Sequence, residues 1–211
     1  MHALSTPLVT KSDGTKMGKT ESGSVWLDPS LTSPYAFFQF WLNADDADAR
    51  TWLPLFSERP ADEIEALIEE SIQRPAARTA QRALAEELTV LVHGEEQLRQ
   101  AEAAGRALFG RDDLTTLGEA TLAAALTEAG SVTVDSEVPS IAQLMQQTGL
   151  VSSLSEARRT VKEGGAYLNN ERVTDADAVP ADAAWLAGGW LVLRRGKRAV
   201  AGVQRTAAPA S

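Results

Sequence analysis

SLSEARRTVKEGGAYLNNERV, residues 153–173, decides the fold of the carboxy-terminal part of this 211-residue chain. Ser153 and Glu156 have the spacing of a capping box, in which a hydroxyl and a carboxylate three residues apart satisfy the first N–H groups of a helix. Ala157 to Lys162 continue that helix, with Arg158 and Lys162 four residues apart on one face, and Gly164-Gly165 end it. Ala166 to Leu168 and Arg172-Val173 then read as two short strands. Asn169-Asn170 joins them as a tight hairpin turn, because asparagine accepts positive φ more readily than most residues.

The pattern extends in both directions. Upstream, after Pro139, the run from Ser140 to Met145 predicts a short amphipathic helix that stops at Gly149. Downstream, Trp190 to Leu193 and Ala199 to Val203 are apolar runs on either side of Arg194-Arg195-Gly196-Lys197-Arg198, which predicts a second hairpin packing on the two helices. Trp190 and Trp185 belong to the core or its rim, with base stacking as the alternative for Trp185. Residues 139–204 thus form one module, and 205–211 have nothing to bury and read as a flexible tail.

Charge separates this module from the rest. The chain carries a net charge of −9. Residues 138–211 nevertheless hold nine basic side chains against six acidic, whereas 1–137 hold eleven against twenty-three. A basic module on an acidic chain attracts phosphate and steers RNA. Arg158, Arg159, Lys162, Arg172, Arg194, Arg195, Lys197 and Arg198 are the candidate RNA-binding cations, and Asn169 at the hairpin turn joins them.

The preceding residues read as helices. Ser33 is placed to cap a helix with Pro34 in its first turn, and Tyr35, Phe38, Trp41 and Leu42 follow at helical spacing. Trp52, Leu53 and Phe56 repeat the pattern, Ile64, Leu67, Ile68 and Ile72 mark a third helix, and Leu84, Leu88, Leu91 and Val92 a fourth that closes near Gly94. A further amphipathic run goes from Glu95 to Leu108. The aromatic residues read as core, since no basic residue is interleaved as in a base-stacking surface. Five short helices with short connections make a bundle over 33–109. Residues 110–138 read as an acidic linker, with an alanine-rich helix from Leu114 to Ala129 and a Val/Thr run after Gly130. Asp45, Asp46 and Asp48, between the first two helices, read as a capping and turn cluster.

At the amino terminus, Lys11 to Thr20 place Lys16 and Lys19 three residues apart in a glycine-bearing run that suits a phosphate-handling loop. The spacing is not that of a P-loop, which needs four residues between its glycines, whereas Gly14 and Gly18 are separated by three. A flexible lysine-bearing surface loop is the alternative. Cysteine is absent and the two histidines, His2 and His93, lie far apart, so no metal site is expected. No apolar run approaches the roughly 18 residues of a membrane span. No secretory signal is apparent, and a cytoplasmic protein is expected.

Residues 11–43, KSDGTKMGKTESGSVWLDPSLTSPYAFFQFWLN, resemble the part of bacterial tyrosyl-tRNA synthetases that carries their second class I signature, the KMSKS-type loop, onto which Lys16, Met17, Gly18, Lys19 and Thr20 fall in order. The resemblance continues through Leu91 to Glu96, Ser155 to Asp175 and Leu193 to Lys197. The helix, helix, hairpin order resembles the ribosomal-protein-type RNA-binding domain that ends those enzymes, where the turn is usually Asn-Gly and Asn170 here replaces the glycine.

The resemblance implies an enzyme that activates tyrosine with ATP and magnesium and passes the tyrosyl group to tyrosine tRNA. Lys16 and Lys19 would be catalytic, and Lys16, Gly18, Lys19 and Thr20 would bind ATP. Residues 33–109 would be the helical anticodon-arm domain, with Asp45 or Asp46 as a candidate anticodon contact. Residues 1–32 would be the remnant of a catalytic domain whose HIGH-type signature and nucleotide fold are missing, so the chain is expected to be inactive alone. A separate amino-terminal catalytic half would be its partner, and the chain would be a monomer where the intact family is homodimeric. The expected fold class is mostly α with a small α+β module. An autonomous RNA-binding protein and a helical scaffold without RNA affinity are the competing readings.

Overall fold

In the computed structural model, which describes residues 8–17, 19–20, 23–110, 112–135 and 137–206, helix α1 (Pro34–Leu42) begins at Ser33, whose hydroxyl accepts the Ala36 N–H at 3.1 Å. Helices α2 (Asp46–Phe56), α3 (Ala61–Gln73), α4 (Thr79–His93) and α5 (Glu95–Leu108) follow. The chain divides into two compact units, Met1–Leu98 and Arg99–Ser211. In the first, α4 packs against α1, α2 and α3.

The aromatic residues form the core expected of them. Phe37, Phe38, Trp41 and Trp52 are buried, and Trp41 meets Trp52 edge-on at 5.9 Å between ring centroids. Such pairs add to the large apolar area each ring buries. The turn between α1 and α2 is held from α4's beginning. Arg78, in the left-handed region at φ 53°, donates to the Leu42 and Ala44 carbonyls at 2.7 and 3.3 Å. Buried Gln81 donates to the Ala44 carbonyl and to Asp46. Carbonyls at a helix end that lack a partner within the helix are thereby satisfied. Ile72 and Leu91, expected in the core, are 61% and 64% exposed. Each stands in the last turn of its helix, where that face runs out into solvent.

The second unit is a five-stranded sheet with helices on it. After a 3-10 turn at Leu114–Thr116, α6 (Glu119–Ala129) leads into β3 (Ser131–Val134), then α7 (Ile141–Gln147) and α8 (Leu154–Lys162). Strands β4 (Ala166–Leu168), β5 (Glu171–Arg172), β6 (Trp190–Arg195) and β7 (Ala199–Arg205) complete it. A two-stranded ribbon near the amino terminus supplies β1 (Lys19–Thr20) and β2 (Gly23–Ser24). The sheet order is β3-β7-β6-β4-β5, with β3 parallel to β7 and the other pairs antiparallel.

Both expected hairpins are present, and they share one sheet through β4 and β6. Asn169 and Asn170 have φ of 48° and 69°, the conformation of a tight hairpin turn. The segment expected as a linker is instead built into this unit: α6 packs on β7 and β3 extends the sheet. The expected alanine-rich helix is broken before Glu119 and is shorter than its sequence run. Strand β7 runs to Arg205, and the Thr206 N–H donates to the Val134 carbonyl at 2.9 Å; residues 207–211 of the expected tail lie outside the described residues.

Ile141, Leu144, Met145, Val161, Leu191, Leu193 and Val203 lie in one core where α7 and α8 cover one sheet face. On the other face α6 comes so close that a Cβ on Gly202 would stand 2.8 Å from the Leu126 Cβ. The start of α8 departs slightly from the expected capping box. Ser153 accepts the Glu156 N–H at 3.2 Å, but the Glu156 carboxylate takes the N–H and hydroxyl of Ser152 at 2.8 and 2.7 Å and the Arg195 guanidinium at 2.8 Å. The Ser152 hydrogen bonds, with the Arg195 charge adding to them, hold the Glu156 carboxyl down at about 2.

Two outcomes are expected. Gly202→Val, which forces α6 off the sheet, should destabilise the second unit by about 1–3 kcal/mol in urea unfolding; an unchanged midpoint would contradict the close packing. Because the Glu156 pKa is depressed on folding, its contribution is full above the unfolded value near 4.5 and is lost as pH falls toward about 2. Thermal melts should therefore show wild type more stable than Glu156→Gln at pH 6, with the gap closing across that window. A gap independent of pH would contradict it.

Candidate nucleic-acid interface and lysine loop

The lysine loop is built by short-range hydrogen bonds and tied down at one side. The Lys11 N–H donates to the Thr15 carbonyl at 2.8 Å, the Gly14 N–H to the Lys11 carbonyl at 2.9 Å, and Thr10 bridges Lys16 in antiparallel fashion. Gly14 turns the chain at φ 83°. The Asp13 carboxylate accepts the hydroxyl and N–H of Thr15 at 2.6 and 2.8 Å, which holds its pKa below the usual carboxylate range. The tie is Asp48, only 3% exposed, which accepts the Ser12 N–H at 2.5 Å, and Trp52, whose indole N–H donates to the Thr10 carbonyl at 3.2 Å.

Lys16 is exposed, and the Lys19–Thr20 backbone pairs with Gly23–Ser24, so the two lysines stand on consecutive short runs of the loop. Gly18 lies outside the described residues. Asp48 is the residue that sequence reasoning missed. Grouped with a turn cluster, it is in fact an anchor; the available signal was its position four residues before Trp52, on the same buried face of α2. Asp45 is exposed at the α2 N-cap position without a side-chain capping bond, and Asp46 is exposed with one oxygen taken by Gln81 at 2.6 Å.

The expected RNA-binding cations fall into two groups. Arg194 is turned inward, 9% exposed, its guanidinium 4.4 Å from the centre of the Tyr167 ring and donating to the Phe109 carbonyl at 3.2 Å. Arg195 is engaged by Glu156 and by the Leu150 carbonyl at 2.9 Å. Arg158 pairs with Asp177 at 2.8 Å, raising its own pKa and lowering that of the aspartate, though both side chains are exposed. Asn169 also has an internal job: its amide donates to the Ala184 carbonyl and accepts the Val192 N–H. Trp185 is covered by the Arg205 guanidinium at 4.5 Å, which removes that ring face from base stacking.

Arg159, Lys162, Arg172, Lys197 and Arg198 are exposed and form no ion pair among the described residues. Their backbone converges on Gly164-Gly165. Lys162 is at the end of α8, one turn beyond Arg159. The Arg172 Nε donates to the Gly164 carbonyl at 3.2 Å, and the Gly196 N–H, just before Lys197 and Arg198, donates to the Gly165 carbonyl at 2.7 Å. One glycine corner thus gathers cations from a helix end, an edge strand and a hairpin turn. Cations gathered on one surface raise the local positive potential, which attracts anions.

Among the described residues no group of three or more His, Asp or Glu is disposed to hold a metal, and no helix is long and apolar enough to cross a membrane. His93 stacks edge-on against Phe37 at 4.9 Å, and burial lowers its pKa.

Residues 1–110 match the tRNA synthetases class I (W and Y), and residues 121–201 match the tyrosine–tRNA ligase SYY-like C-terminal domain. The chain is 58% identical over 98% of its length to the tyrosine–tRNA ligase of Streptomyces avermitilis and covers 49% of that protein. Identity is 57% over 99% of the chain to the ligase of Streptomyces coelicolor and 52% over 97% to that of Mycobacterium bovis, again covering 49% of each. The chain spans about half the length of these curated relatives. It belongs to the class I tRNA synthetase family, in its tyrosine–tRNA ligase branch, and corresponds to the carboxy-terminal half of those enzymes.

Proposed function

We propose that this chain is the tRNA-holding part of a cytoplasmic tyrosine–tRNA ligase and that, in the intact enzyme, it also carries the lysine loop to ATP. The observation that carries the reading is the ordered match of both family regions in a chain whose last module gathers its unpaired cations at one glycine corner.

In the first half-reaction a carboxylate oxygen of tyrosine attacks the α-phosphorus of ATP, the bond to the bridging oxygen breaks, and pyrophosphate leaves with tyrosyl-adenylate formed. Negative charge grows on the departing phosphates. Lys16 and Lys19 meet that growing charge and are stronger in the transition state than in the ground state, which is what raises a rate. Gly18 and Thr20 are the other ATP-binding residues in this reading. The Asp48 and Trp52 ties hold one side of the loop while the lysines close on the nucleotide. The contribution of this chain to that step is lysine charge. The tyrosine and adenine pockets belong to an amino-terminal half, and the chain alone does not activate tyrosine.

In the second half-reaction the tyrosyl group passes to tyrosine tRNA, giving AMP. Arg159, Lys162, Arg172, Lys197 and Arg198 hold the phosphate backbone. Arg158 joins them by exchanging Asp177, an exposed partner and therefore a cheap one to lose. Arg194 has an internal role in this reading. Asp45 is the better candidate for an anticodon base, since its oxygens accept no capping bond.

Charge reversal tests the RNA reading. Arg159→Glu with Lys162→Glu should weaken tyrosine-tRNA binding well beyond tenfold and lower the salt slope by roughly 0.7–0.9 for each contact removed. Unchanged affinity and slope in a variant that melts like wild type would place the RNA elsewhere.

A further inference from the structure

Gly164 ends α8 at φ 72°, in the left-handed region. That alone does not require glycine, because Asn170 in the same unit holds φ 69° with a full side chain. What glycine adds is space. A Cβ on Gly164 would overlap the Nη2, Cζ and Nε atoms of Arg172, whose guanidinium occupies the space a side chain there would need while its Nε donates to the Gly164 carbonyl at 3.2 Å.

Resting on the RNA-binding reading above, we infer that Gly164 is a positioning residue for RNA: it forms the seat that holds the Arg172 fork beside Lys162 and presents its remaining N–H groups to an RNA phosphate. A guanidinium has five N–H donors, and the seat uses one. Arg172 has no ion pair among the described residues, so its charge is uncompensated. A fork held in one orientation loses less freedom on gripping a phosphate than a loose side chain does, and its planar geometry suits two parallel bonds to one phosphate.

The experiment measures binding of a tyrosine-tRNA transcript over a salt series by the full chain and four variants, with thermal melting of each. Arg172→Ala should lose affinity and lower the salt slope by about 0.7–0.9. Gly164→Asn keeps every charge and tolerates the backbone conformation but fills the seat; it should lose most of what Arg172→Ala loses. The double variant should bind no more weakly than Arg172→Ala alone. Arg172→Lys keeps the charge and the fold but has neither the Nε bond nor the fork, and should fall between wild type and Arg172→Ala. Wild-type binding by Gly164→Asn or by Arg172→Lys, or additive losses in the double variant, would overturn the inference. Should Gly164→Asn fail to fold, Arg172→Lys decides. Absence of salt-sensitive binding by wild type itself would instead overturn the RNA-binding reading beneath it.

Discussion

The exit of α8 through Gly164-Gly165 is the constraint on which the basic module depends. The Gly164 N–H returns to the Val161 carbonyl and the Gly165 N–H to the Thr160 carbonyl, closing the helix end, while the two glycine carbonyls face outward and are taken by Arg172 and by Gly196. A helix carbonyl end carries partial negative charge and favours cations in the last turn, where Arg159 and Lys162 stand. The same corner therefore terminates a helix, docks the β6–β7 turn and collects positive charge. A side chain at Gly164 would have to displace Arg172.

Arginine serves two unlike purposes in this unit, and burial separates them. Arg194 is inside, where an unpaired charge would be expensive, and it is compensated by the Tyr167 ring and the Phe109 carbonyl. With Asn170, which donates to the Ala107 carbonyl at 2.7 Å, it satisfies carbonyls at the end of α5. The cations left in water at the glycine corner form no ion pair among the described residues, and on a chain of net charge −9 they are the surface we propose for RNA. The lysine loop follows the same logic on a smaller scale: Asp48 is spent on a backbone N–H, leaving Lys16 exposed.

Local signals made much of this legible before any coordinates. Ser33-Pro34, the aromatic spacing through Trp41 and Trp52, and Asn169-Asn170 each act within a few residues, and each does what its chemistry predicts. Strand β3 was not legible, because its partner Gly202 to Arg205 lies some seventy positions later and parallel pairing leaves no turn to mark it. Arg194 was misplaced for a related reason. Strand β6 is covered on both faces, so its residues do not alternate and a basic pair at its end looks like surface. Asp48 and Gly164 were visible as letters, but their roles depend on what reaches them from elsewhere in the chain. The family resemblance placed the loop and the module in order; it left open which cations point outward.

The most direct test of the account is the affinity of this chain for tyrosine tRNA against an unrelated tRNA at two salt concentrations. The account predicts tighter binding of tyrosine tRNA, with both affinities falling as salt rises. Binding that ignores salt, or equal binding of the two tRNAs, would contradict it.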